Sequence, residues 1–162
     1  MNSSKTNVGL VQINNSFSGQ NYFPYSVGIL EAYARENLMK PDNYHFLAPL
    51  YLRTNIDDCV QKLEGADIVF FSAYVWNIRI SLAIAEIIKR KNPNTIIIFG
   101  GPQVPDRIEG FLEKYSFVDV VCHGEGEQVF TKLLDWGVEG ARVKDFGDVP
   151  SISYLDPSGQ MK

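Results

Sequence analysis

Three near-continuous apolar runs punctuate the chain, and each ends in a small, polar or glycine-rich turn. They are VFFSAY from Val69 to Tyr74, IIIFGGP from Ile96 to Pro102, and VDVVCHG from Val118 to Gly124. Runs this short with so little polar alternation predict strands buried on both faces, as in a parallel sheet covered by helices. Their turns then fall along one edge of the sheet, where doubly wound domains hold flat or elongated ligands.

The rest of the pattern fills in strand, helix, strand, helix nearly to the end. Val8 to Ile13 predicts a first strand, followed by the loop from Asn14 to Phe23. Pro24 suits a first helical position, where its missing N–H breaks no internal bond. Val27, Leu30, Ala34 and Leu38 then repeat at helical spacing. Pro41 and Asn43 end that helix before a second strand, Tyr44 to Leu50. Asn55 and Asp58 mark the start of a helix whose inward stripe is Ile56, Cys59, Val60 and Leu63. A third strand covers Asp67 to Ala73, and the next helix turns Ile80, Ala83, Ile84, Ile87 and Ile88 to one side. Lys89, Arg90, Lys91 and Pro93 close it. Thr95 to Phe99 is the fourth strand. Asp106 and Glu109 have capping-box spacing ahead of Ile108, Phe111, Leu112 and Tyr115. Phe117 to Cys122 is the fifth strand, followed by a helix carrying Val129, Phe130, Leu133 and Trp136. The expected fold is α/β: a doubly wound, mostly parallel, five-stranded Rossmann-like sheet with helices on both faces. Residues 1–137 form this core. Residues 138–162 form a C-terminal extension with a short edge strand at Ser151 to Asp156, leading toward a missing downstream domain. The turn-forming DPSGQ segment suggests a hairpin whose second strand lies beyond Lys162; a natural terminus is the alternative.

Composition narrows the functional classes. The chain has 162 residues, 45% apolar and 21% charged, with a net charge of −4. No basic block is present, which argues against a nucleic-acid surface. The apolar stretches are strand-sized, short of the roughly 18–20 residues of a membrane span. MNSSKTN at the start has no signal-like apolar run, and two cysteines without paired spacing fit a reducing cytoplasm. A phosphoacceptor receiver needs acids where Asn14 and Asn15 stand. A dinucleotide fingerprint should follow the first strand and does not, and no Walker motif occurs. Neither Cys122 nor His123 has a partner set for thiol catalysis or metal binding.

The turns carry the remaining chemistry. Gly100 and Gly101 allow a ligand close to the backbone, or form an ordinary turn before Pro102. Glu125 and Glu127 stand where a helix starts, as caps or as hydrogen-bond acceptors. Tyr74 and Trp76 could flank an apolar cofactor or cover the core.

Taken in order, four segments resemble the N-terminal cobalamin-binding domain of B12-dependent radical-SAM proteins. PYSVGILEAYA from Pro24 resembles the helix after the first cofactor loop, and FSAYVWN from Phe71 resembles the aromatic turn after strand three. IFGGP from Ile98 matches the strand-four turn, and VDVVCHGEGE from Val118 matches the strand-five signature. The resemblance covers residues 8 to 155. It implies a corrin against the carboxyl edge, with the nucleotide tail in a sheet-side groove. Ser72, Tyr74, Val75 and Trp76 would then approach the corrin. Gly100, Gly101, Pro102 and Gln103 would border the tail or ring amides, and Gly124, Glu125 and Gly126 would complete the pocket. Asn15, Ser16, Phe17, Ser18 and Gly19 would line the opening.

One departure from related cobalamin folds concerns the lower axial ligand. Many carry D-x-H-x-x-G after the first strand; here Asn14, Ser16 and Gly19 take the marked positions. A serine hydroxyl is a poor replacement for imidazole, so the expectation is cobalt with no histidine ligand, neither His45 nor His123. The resemblance also implies a downstream radical-SAM domain in the same full-length chain, carrying a [4Fe-4S] cluster and S-adenosylmethionine. The cluster motif has three cysteines, whereas this sequence has only Cys59 and Cys122. No catalytic side chain is therefore assigned to this chain. The residues alone leave open a cofactor-free interaction module and an FMN-binding flavodoxin-like domain.

Overall fold

The computed structural model describes residues 5–108, 110–142, 146 and 149–162, with backbone alone for 138–142. One six-stranded sheet organises them. Its strands are β1 (Thr6–Val11), β4 (Tyr44–Phe46), β5 (Ile68–Ser72), β6 (Ile96–Gly100), β7 (Val120–Cys122) and β8 (Ile152–Ser153). A separate two-stranded ribbon, β2 (Ser16–Phe17) with β3 (Gln20–Asn21), rises from the loop after β1. The sheet order is β4-β1-β5-β6-β7-β8. The first five strands are parallel, and β8 is antiparallel to β7.

The apolar runs are explained by two core layers. Val8, Leu10, Ile68, Phe70, Ile96, Ile98, Val120 and Cys122 face one side, with α1 (Tyr25–Asn37) and α5 (Gly126–Arg142). Val11, Val69, Phe71, Ile97, Phe99 and Val121 face the other, with α2 (Ile56–Lys62), α3 (Ile78–Lys91) and α4 (Phe111–Lys114). Each strand alternates as a pleat must, yet both faces are dry, so polar alternation never develops. Rings lock each layer: Phe71 stacks on Phe99 at 4.8 Å, and Phe70 meets Phe130 edge-on at 5.2 Å.

The amino edge of the sheet is tied by a polar belt. Asn7 bonds His45 Nδ1 at 3.0 Å, donates its side-chain amide to Gly65 O, and donates its backbone N–H to Asp67 at 2.8 Å. Thr95 Oγ1 donates to Ala66 O at 3.0 Å. The Asp119 carboxylate accepts from Lys89 Nζ at 2.7 Å and from the Ile97 N–H at 2.7 Å, and Lys89 also donates to Thr95 O. Lys89 therefore ties α3 to the sheet as well as standing at a helix end.

Several expectations need correction. The strands are mostly shorter than their apolar runs: β4 stops at Phe46, leaving only a bridge from Leu50 to Val11, and β7 starts at Val120. The loop after β1 contains a hairpin, with Ser18 and Gly19 both at positive φ as a two-residue turn requires. On α3 the buried side chains are Ser81, Ile84, Ala85 and Ile88, while Ile80, Ala83 and Ile87 are half-buried flanks. The helix foreseen from Asp106 is only the single turn α4, entered through Gly110 at φ 80. The proposed Asp106–Glu109 box cannot be followed, because Glu109 lies outside the described residues. On α5, Leu134 is buried and Trp136 exposed, so the inward stripe shifts toward Leu134. The hairpin after Asp156 closes within the chain: Tyr154 and Lys162 exchange backbone hydrogen bonds at 3.2 and 2.9 Å. The start of α2 is as read, with Asn55 Oδ1 accepting from the Asp58 N–H at 2.8 Å.

Candidate functional site

Strand order locates the crevice. From β1 the chain passes through α1 to β4 on one side, then through α2 to β5 on the other. The loops after β1 and β5 therefore diverge, leaving an opening at the carboxyl edge. Of the large apolar side chains exposed among the described residues, Phe17, Tyr22, Phe23, Tyr25, Val75 and Trp76 all belong to this edge. Scattered apolar exposure is ordinary; six such residues gathered on one edge mark a binding surface.

Two clefts meet there. The first, of about 230 Å³, lies over Phe70, Ser72, Gly100 and Cys122, between Leu30 of α1 and Gly126 of α5. Tyr74, Gly101, Pro102, Gly124, Glu125 and Glu127 also line it. The second, of about 420 Å³, is aromatic, with Tyr22, Phe23, Tyr25, Tyr74 and Trp76 beside Gln12, Asn14 and Asn15. Both clefts are lined by Tyr25, Ser26 and Tyr74. A polar hollow of about 620 Å³ continues past Asn14 and Asn15 to Ser16, Asn21, Arg53 and Thr54.

The first cleft is open because small residues make its walls. Gly101 has φ 101, and a Cβ there would come within 2.7 Å of Ala73 O, so this glycine serves the backbone crossing itself. Gly126 opens α5 without such strain; a Cβ would meet only Leu30 Cδ2, at 3.1 Å across the cleft. Cys122 at the floor is buried, which pushes its thiol up to about 12. It is a neutral surface at ordinary pH, and no nucleophile. Two carboxylates and no cation line this cleft, an unfavourable setting for a free phosphate.

The aromatic wall is held from behind. Asn77, wholly buried, accepts the Tyr74 N–H at 2.7 Å and donates to Ser72 O and Ile13 O at 3.0 and 3.1 Å. It thereby fixes the ends of β1 and β5 against each other. Tyr74 and Trp76 stack at 4.6 Å with their planes 13° apart.

The structure brings Ser72, Tyr74, Gly100, Gly101, Pro102, Gly124, Glu125 and Gly126 around the first cleft. Trp76 lines the second with Asn15, and Ser16 lines the polar hollow. Val75 and Gln103 are exposed beside the clefts, and Phe17, Ser18 and Gly19 stand at the hairpin tip. Sequence reasoning missed Gln12, Tyr22, Phe23, Tyr25, Ser26 and the cleft side of α1. The visible signal was three aromatic residues crowded around Pro24 in a polar loop. His45 is at the opposite edge, bonded to Asn7, and His123 Nε2 lies 3.0 Å from Ser153 Oγ. Among the described residues no three His, Cys, Asp or Glu side chains are grouped to hold a metal ion.

Fold and clefts together define a doubly wound domain with two open clefts at its carboxyl edge. The chain belongs to the B12 binding domain family, whose model matches residues 7–134. It is 35% identical over 143 residues to the cobalamin-dependent radical SAM methyltransferase TokK of Streptomyces tokunonensis, covering 85% of this chain and 20% of that protein. It is 33% identical over 132 residues to 2-(S-pantetheinyl)-carbapenam-3-carboxylate methyltransferase of Streptantibioticus cattleyicolor, covering 82% and 19%. Among solved structures it resembles the cobalamin-dependent S-adenosylmethionine radical enzyme OxsB with aqua-cobalamin and S-adenosylmethionine bound. The TM-score is 0.71 at 24% identity, over 98% of this chain and 22% of that one. At that identity the likeness speaks for the fold. The chain thus spans about a fifth of the length of these relatives.

Proposed function

We propose that this chain is the cobalamin-binding part of a larger radical-SAM enzyme and holds the corrin at its carboxyl edge without a histidine lower ligand. The observation that carries the reading is the junction of a narrow small-residue groove with an exposed aromatic platform. That shape suits a ligand with a thin tail and a broad flat ring. Bound cobalamin supplies a cobalt centre able to accept and pass on a methyl group. The protein's own part is positioning. Ser72, Tyr74, Val75 and Trp76 face the corrin; Gly100, Gly101, Pro102 and Gln103 border the tail or ring amides; Gly124, Glu125 and Gly126 close the groove. Asn15, Ser16, Phe17, Ser18 and Gly19 form the lip. His45 stands at the amino edge of the sheet beside Asn7, and neither histidine belongs to the loop after β1; that placement supports leaving the lower cobalt face without imidazole.

The reading extends to the whole protein as methyl transfer or related radical chemistry in the cytoplasm; the relatives' names as methyltransferases support the first part. A downstream domain, reached through residues 138–162 from the 1–137 core, carries the [4Fe-4S] cluster and S-adenosylmethionine.

The test is a titration of the purified chain with hydroxocobalamin, followed by corrin absorbance. Gly126→Val is the informative variant, because its side chain enters the groove at an unstrained first helical residue. The expected outcome is a native circular dichroism spectrum with cobalamin affinity reduced about tenfold or more, the effect of roughly 1.4 kcal/mol lost at the groove. The Co(II) complex of nitrogen-15-labelled protein should show no axial coupling to a protein nitrogen. Undiminished affinity in folded Gly126→Val counts against the groove, and binding of FMN in place of cobalamin overturns the reading.

A further inference from the structure

Tyr74 stands with Tyr25 and Ser26 between the two clefts, and it is restrained at both ends. Its backbone N–H is fixed by Asn77, and its phenol lies 2.6 Å from Ser26 Oγ in the first turn of α1. Trp76 stacks on the same ring, and its carbonyl accepts from Arg53 Nη2 at 2.6 Å. Ser26 is itself anchored. Gln12, only 6% exposed at the end of β1, accepts the N–H groups of Ser26 and Val27 at 3.0 and 3.3 Å through Oε1. This side-chain carbonyl satisfies two of the unpaired donors at a helix N-terminus, so the start of α1 is fixed to the sheet.

We propose that Ser26 is a positioning residue that sets the tilt of the Tyr74–Trp76 pair, and hence how the aromatic wall meets a ligand. The proposal rests on the cobalamin reading above and deepens it. A tyrosine ring at a loop rotates about its first two side-chain torsions unless its far end is held. Here the far end is held by one hydroxyl, across 48 residues of sequence. Losing that bond frees the phenol to turn toward water and takes the stacked indole with it. The Tyr74 ring between groove and platform is then no longer fixed before the ligand arrives, and ordering it becomes part of the cost of binding. Gln12 acts one step further back, by keeping the first turn of α1 at the right height.

The experiment uses a Trp136→Phe background, so that Trp76 is the sole tryptophan. Ser26→Ala, Tyr74→Phe, their combination and Ser26→Thr are compared for hydroxocobalamin affinity, near-ultraviolet circular dichroism and fluorescence of Trp76, and thermal midpoint. Each single deletion is expected to weaken binding about fivefold, the scale of one net hydrogen bond. The double variant should be no weaker than the singles, because both remove the same bond. Ser26→Thr, which keeps a hydroxyl, should restore most of the affinity, and the Trp76 signal of the ligand-free protein should move in both single variants. Effects that multiply in the double variant overturn the proposal. So does a lowered thermal midpoint with unchanged Trp76 signal and unchanged affinity, the pattern of a merely structural bond. If the unsubstituted chain fails to bind cobalamin, the cofactor reading falls first. If it binds and Ser26→Ala binds equally well, only the role of Ser26 falls.

Discussion

Ser81 sits wholly buried on the sheet side of α3, and its hydroxyl has no hydrogen-bond partner among the described residues. Buried Thr131 differs, since its hydroxyl donates to Glu127 O at 2.8 Å. An unpaired buried hydroxyl loses its hydration without compensation, and alanine is the better helix former. Ser81→Ala is therefore expected to stabilise the chain by about 1 kcal/mol, measured as a raised urea midpoint at unchanged slope. A lowered midpoint would mean that the hydroxyl finds a partner in solution. The same residue explains why the stripe on α3 was misread. A serine inside an isoleucine-rich face reads as polar, and the eye moves to Ile80, Ala83 and Ile87. Tyr74 and Trp76 were legible because large rings in a turn beside a buried strand stand out. Ser26 and Gln12 were not, because their importance lies in one acceptor and one hydroxyl meeting partners far along the chain.

At the level of elements, the turn after β8 is organised by one carboxylate. Asp156 Oδ1 accepts from the Ser158 hydroxyl and N–H at 2.6 and 2.9 Å, and from the Gln160 N–H at 3.0 Å. The Ser158 hydroxyl, then the Gln160 amide, hold its carboxyl down at about 2, below the ordinary 3.8. A depressed folded value means the turn's stabilisation is fully present above the ordinary value and is lost as pH falls through about 2. Amide shifts of Ser158 and Gln160 followed by NMR should titrate near pH 2; a midpoint near 4 would show the turn to be open in solution. The DPSG composition announced this turn, and Asn55 announced the start of α2, because side-chain caps are local chemistry. Two-residue strands such as β2 and β3 hold too few residues to show a period. The end of β4 was hidden for another reason: the apolar run from Tyr44 to Leu50 continues past Phe46, where the ladder to β1 stops.

For the molecule as a whole, the order of apolar runs was enough to read a doubly wound sheet, since parallel strands need crossovers and buried faces. The clefts were legible only as a set of turns. The first cleft depends on how far α1 and α5 stand apart, which no local pattern encodes. This chain is expected to form no 5′-deoxyadenosine when supplied with iron, sulfide, cobalamin, S-adenosylmethionine and a low-potential reductant, since it has two cysteines where the cluster motif needs three. Turnover dependent on a bound [4Fe-4S] centre would overturn its assignment as the cofactor-holding part alone. The belt of Asn7, Asp67, Thr95, Lys89 and Asp119 has a different kind of consequence. It secures the strands to one another at the end remote from the clefts. Apart from the Asn77 clasp, the loops at the other end carry little of the task of keeping the sheet together. Substitutions in those loops outside the clasp can therefore accumulate, and change the shape of the clefts, before they threaten folding.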